Sequence, residues 1–194
     1  MVEPRMNARE NPFATRRVER ALEFDPTLIG TDWSKLLQRW RALGQRACIT
    51  GPHGAGKTTF LDAFVHQLDP PVVRWFFNRD QCGLTDHHRE QMRAGRGAIW
   101  IVDGDGHLGW RDRREFRRRS MEAAGVLSAR HRARDMPVLL HLRPDLALAK
   151  SLLDRIDPED RHGLAADLPR RFRRCRGNLR ELWLDCYDAM ISEM

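Results

Sequence analysis

Arg46-Ala47-Cys48-Ile49-Thr50-Gly51-Pro52-His53-Gly54-Ala55-Gly56-Lys57-Thr58-Thr59 decides how the rest of the chain is read. Arg46 to Thr50 is a short apolar strand. Gly51 to Thr58 follows it and matches GxxxxGK[ST] at every fixed position. Gly56 to Leu68 then reads as a helix, with Phe60, Leu61, Phe64, Val65 and Leu68 on one side. Asp69-Pro70-Pro71 stops it. Strand, glycine loop and helix, in that order, are the context in which this motif cradles phosphate.

The physics of such a loop assigns its residues. Gly51, Gly54 and Gly56 let the chain curl so that successive backbone N–H groups point inward, and the positive end of the following helix adds to the attraction for an anion. Gly51, Pro52, His53, Gly54, Ala55, Gly56, Lys57, Thr58 and Thr59 are therefore the nucleotide-binding candidates. Lys57 supplies a point charge for the β and γ phosphates. The Thr58 hydroxyl is the expected Mg²⁺ ligand, and Thr59 is placed to reach the α phosphate. His53 occupies a variable position and is assigned no chemistry.

Outward from the loop, strands alternate with helices. Val72 to Phe77 reads as a buried strand, Thr85 to Ala94 as a helix, and Ala98 to Val102 as an apolar strand that ends at Asp103. A long arginine-rich helix is predicted over Asp112 to Ala133, then a fourth strand over Val138 to Leu142. Helices are predicted over Asp145 to Ile156 and Asn178 to Met190, with a middle segment between them. Upstream, Trp33, Leu36, Leu37 and Trp40 recur at helical spacing between Asp32 and Leu43, and a short helix is expected around Arg16 to Leu22. The alternation predicts an α/β fold with a small parallel sheet of four strands covered by helices. Three parts follow: an N-terminal segment and helix over 1–44, a core over 45–144, and a C-terminal helical segment over 145–194.

An apolar strand ending in an acid after a GxxxxGKT loop is the Walker B pattern, so Asp103 is a second magnesium and catalytic candidate. Here the sequence resembles the AAA+ and STAND group of P-loop ATPases. The resemblance implies a three-layer P-loop NTPase fold in which the strand after Walker B inserts beside the loop strand and ends in a polar sensor. With Val138 to Leu142 as that strand, the sensor candidates are His141 and Arg143. Asn11-Pro12-Phe13 is similar to segments that pack against adenine in AAA+ proteins. Gly177-Asn178-Leu179-Arg180-Glu181-Leu182 looks like the GNxRE stretch that opens a lid helix, which makes Arg180 a candidate for the γ phosphate. Asn178 is also a good helix N-cap. The sequence departs from AAA+ after Asp103: Gly104 stands where a water-activating glutamate is usual, and Asp105 is the nearest acid. STAND proteins often carry a small residue there.

The basic excess is 34 − 27 = +7 over 194 residues. Three arginine runs stand out, Arg111 to Arg119, Arg130 to Arg134 and Arg170 to Arg176, the last with Phe172 interleaved. A polyanion grip and a solvated helix face are the two readings of such runs; acids interleaved through most of them favour the second. Cys48, Cys82, Cys175 and Cys186 form no CxxC pair and read as reduced thiols in a cytoplasm. No apolar run of transmembrane length occurs, and Met1 to Glu10 lacks the apolar stretch of a secretory signal. The expected function is an Mg-ATP-binding switch or regulatory ATPase with slow or partner-stimulated hydrolysis, acting on ATP with Lys57, Asp103, Asp105 and Arg180 as catalytic candidates and a protein partner or second copy as stimulator. The alternatives are a small-molecule kinase and a nucleic-acid-binding module with a nucleotide switch. The absence of an NKxD guanine-reading motif agrees with ATP.

Overall fold

A computed structural model of the chain describes residues 13, 18, 22–69, 71–133, 135–160 and 163–192. They form two compact units. One comprises Thr31–Gly51 and Lys57–Leu142. The other comprises Pro52–Gly56 with the described residues before Thr31 and after Leu142.

The first unit is an α/β sheet unit. Its strands are β1 (Arg46–Thr50), β2 (Val72–Phe76), β3 (Ile99–Asp103), β4 (Gly125–Arg130) and β5 (Val138–His141). All pair in parallel, in the order β2-β3-β4-β1-β5. Its helices are α1 (Trp33–Ala42), α2 (Lys57–Val65), α3 (Asp86–Ala94) and α4 (Trp110–Ser120). Parallel strands need a crossover between them, and α2, α3 and α4 supply it for the connections from β1 to β4, while β4 leads to β5 with no helix among the described residues between them. Because side chains alternate along a strand, one face presents Trp75, Trp100, Val102 and Val126, packed with Met92 of α3 and Phe116 of α4. Trp75 and Trp100 lie 4.9 Å apart, and Phe116 stands edge-on to Trp75 at 5.4 Å. Each such ring stabilises the unit by roughly 1.5–3 kcal/mol through burial, and each pair by about 0.5–1.5 kcal/mol more. Elsewhere Phe60 and Phe64 of α2 stack at 5.5 Å, and Trp40 of α1 meets Phe64 edge-on. Asp32 caps α1 through the Lys35 amide.

Two expectations are corrected here. The sheet has a fifth strand, and the arginine-rich helix stops at Ser120 instead of running to Ala133. Gly125–Arg130, expected to be helical, is β4, and it is the strand that lies between β3 and β1. Val138–His141 lies on the opposite side of β1, at the sheet edge.

The second unit contains α5 (Leu146–Ile156), α6 (Leu164–Arg174) and α7 (Leu179–Ser192). Leu152, Leu153, Leu168, Leu182, Trp183 and Cys186 form its core. Phe13 joins them, 2% exposed, with its ring 6.2 Å from that of Trp183. Asn11 and Pro12 lie outside the described residues, as does most of the expected Arg16 to Leu22 helix. Asp25 accepts from the Thr27 amide and from Arg155 of α5, which ties the segment before α1 to these helices.

All four cysteines are free thiols, three of them buried. Burial pushes Cys186 up to about 12, so it stays protonated. Among the described residues no helix is long and apolar enough to cross a membrane.

Candidate functional site

β1 carries the chain into the loop. Ala47, Cys48 and Ile49 are fully buried, and the buried Thr50 hydroxyl sits 2.8 Å from Nδ1 of His141 on β5. Lys57, the first residue of α2, folds its ammonium back onto the Gly51 carbonyl at 2.9 Å. Burial lowers its pKa, and the neighbouring Asp103 carboxylate opposes that shift. The half-buried ammonium is thus held against the backbone of its own loop.

Thr58 and Asp103 are 45 positions apart in sequence, and the fold brings them together. The Thr58 hydroxyl donates to Oδ2 of Asp103 at 2.6 Å. One comes from the start of α2 and the other from the end of β3. The edge of an open parallel sheet at its strand C-termini is where such folds hold ligands. The two side chains present a hydroxyl and a carboxylate, the hard oxygen donors that magnesium takes. Among the described residues no three His, Cys, Asp or Glu side chains converge as a metal cluster. Magnesium is nonetheless compatible, since it keeps several waters and needs only one or two protein oxygens.

The turn after Asp103 explains the departure at Gly104. Gly104 has φ +83°, and a Cβ there would overlap the Phe77 carbonyl oxygen. Phe77 in turn donates its amide to the Asp103 carbonyl at 2.9 Å. A glutamate does not fit at this position. Asp105 is 6% exposed and is engaged by Arg130, whose Nη2 donates to its Oδ2 at 2.6 Å. Arg130 also reaches Asp135 at 2.8 Å. Asp105 therefore sits in a buried ion pair that organises the turn.

In the second unit, Pro52–Gly56 meets the beginning of α7. Gly54 has φ +67°, and a Cβ there would overlap the Asn178 side chain and lie 3.2 Å from the Arg180 amide nitrogen. Asn178 Oδ1 accepts from the amides of Arg180 and Glu181 at 3.1 and 3.3 Å, which makes it the N-cap of α7. The GNLRE corner and the glycine loop are thus in contact. Arg180 is exposed, and its guanidinium makes no ion pair among the described residues. Of the other candidates, Arg143 is exposed, Thr59 is half-buried, and His53 is exposed. Phe13 is taken up by Trp183 and the helical core.

In the sequence Arg130 shows only as the first residue of an arginine run, and its pairing with Asp105 is not visible because β4 lies hidden in a predicted helix. The available signal was Gly125, a breaker in the middle of that stretch. No protein-family model matches the chain, and no curated protein shows significant similarity to it.

Proposed function

We propose that this chain is an Mg-ATP-binding P-loop protein, a switch or regulatory ATPase of the AAA+/STAND kind with slow intrinsic hydrolysis. The observation that carries the reading is the Thr58–Asp103 hydrogen bond, beside a Lys57 ammonium resting on the Gly51 carbonyl. Magnesium, when bound, supplies charge neutralisation between the β and γ phosphates. Thr58 and Asp103 would hold it, Asp103 through water. Lys57 binds the same phosphates, and the loop amides orient them. The insertion of β4 between β3 and β1 agrees with the strand order that the resemblance implies. The sensor position at the end of the inserted strand then falls to Arg130, in place of His141 and Arg143.

Slow hydrolysis rests on the turn after Asp103. Gly104 offers no base, and the Asp105 carboxylate is occupied by Arg130. In this reading the protein works in the cytoplasm with a stimulating partner, and the resemblance of Gly177 to Leu182 to a GNxRE stretch makes Arg180 the candidate for the γ phosphate. The test is a titration with ATP, ADP and GTP, with and without magnesium. ATP binding that requires magnesium and is lost in Lys57→Ala supports the reading. ATP affinity unchanged by that substitution overturns it.

A further inference from the structure

We infer that the exposed face of α4 binds single-stranded nucleic acid. Along the sequence of this helix, acids and arginines alternate. In space they separate. At 100° per residue, Phe116 marks the buried side, and the opposite side carries Trp110, Arg111, Arg114, Arg117, Arg118 and Met121, with no acid among them. Asp112 and Glu115 are turned to the flank, where Arg89 of α3 engages both. Arg111, Arg114, Arg117 and Arg118 therefore form a cationic stripe about 11 Å long, at 1.5 Å per residue.

Three of the stripe's four arginines are also unneutralised. Arg117 pairs with Asp135 at 2.7 Å. Arg111, Arg114 and Arg118 make no ion pair among the described residues. The third arginine run differs: Arg170 and Arg171 are held by Asp167, and Arg171 and Arg174 by Asp185. Charge alone would suit any polyanion. What selects single strands is Trp110 at the head of the stripe. It is 70% exposed, with the Arg111 guanidinium 5.1 Å from its ring centroid. An indole left in water beside arginines is a stacking platform for an unpaired base, and such platforms tolerate any sequence. In a duplex the bases are stacked on one another and give the indole no free face. This surface lies on the sheet unit and is independent of whether the loop binds ATP.

The test is fluorescence anisotropy of a labelled oligothymidylate with the nucleotide-free full chain, against the same length of duplex and against heparin. Binding should be tighter for the single strand than for the duplex. Its logarithm should fall with the logarithm of salt concentration with a slope near −2, from three phosphate contacts at about −0.7 each. The combined Arg111, Arg114 and Arg118→Ala variant should lose at least about tenfold in affinity, and lysine at the three positions should restore most of it. Trp110→Ala should lose about fivefold or more for the single strand and leave heparin unchanged. All these side chains are exposed, and an unaltered Tm verifies the fold of each variant. Absence of binding at low salt, or an arginine variant that binds as the original does, overturns the proposal. Heparin or duplex bound as tightly as the single strand, with Trp110→Ala without effect, also overturns it and leaves a general polyanion surface.

Discussion

A left-handed glycine with another segment's carbonyl pressed against its α-carbon is a fixed point, and Gly104 is one. Any side chain there meets the Phe77 carbonyl oxygen and must also hold φ at +83°. Gly104→Glu would insert the acid that this turn lacks. It is expected to cost at least about 2 kcal/mol of stability and to bring no gain in turnover, because the turn that presents Asp103 is displaced. Denaturant unfolding beside Gly104→Ala measures the loss, and a variant with intact stability and faster hydrolysis would reverse this account of the turn. Lys57 is the contrasting residue. Its ammonium rests on the Gly51 carbonyl at the edge of the sheet, outside the packed aromatic core, and Lys57→Ala should leave the sheet unit folded. It should lower nucleotide affinity about ten- to a hundredfold, the equivalent of roughly 1.5–3 kcal/mol for a charged hydrogen bond, as read by calorimetric titration.

Among the elements, β4 shows where the sequence stops being legible. The amphipathic helices and the strands beside the glycine loop carry period or punctuation that reads directly. Gly125–Arg130 does not, because it is central in a parallel sheet and buried on both faces, with all but its last residue inaccessible. Such a strand has no alternation, and a short apolar run gives strand and helix the same appearance. Ala123, Ala124 and Leu127 then fit a helical face by accident. The partner of Asp105 was lost with that strand, and a buried carboxylate looked like a free one. Asp105→Asn leaves Arg130 with Asp135 as its carboxylate partner and the Ser128 hydroxyl beside it, and is expected to destabilise the protein by roughly 1–3 kcal/mol. An unfolding midpoint unmoved by this change would return Asp105 to solvent and to the role of base. The Asp25–Arg155 pair gives a pH signature to the other unit. Its hydrogen bond with Arg155, assisted by Thr27, holds the Asp25 carboxyl down to about 2. A lowered folded-state value stabilises fully above the ordinary 3.8 and is lost as pH falls through about 2. Asp25→Asn should therefore be less stable than the original near neutral pH and converge with it below the folded value, in denaturant unfolding followed across pH.

For the whole molecule, the division into units is not a division of the sequence. Pro52–Gly56 sits inside the stretch that builds the sheet unit and yet belongs with the C-terminal helices, where Gly54 touches Asn178. The GxxxxGKT motif made the loop legible, and the GNLRE stretch made the helix start legible. Their contact was not, since nothing in local pattern records which distant turn a glycine must accommodate. That contact gives Arg180 its consequence. Its backbone is fixed at the loop by the Asn178 cap, while its guanidinium is exposed. If Arg180 meets the γ phosphate, as the resemblance to a GNxRE stretch implies, Arg180→Ala is expected to weaken ATP about tenfold more than ADP. The original protein should turn ATP over well below the usual enzyme median of about 10 s⁻¹, for want of the base and water positioning that typically contribute on the order of 10²–10⁴ in rate. Nucleotide titrations and steady-state hydrolysis on the same preparations measure both. Equal losses for ATP and ADP would return Arg180 to the solvated surface. Rapid hydrolysis by the original protein, unaffected by Arg180→Ala and by Asp105→Asn, would place the water-activating group outside the turn that follows Asp103.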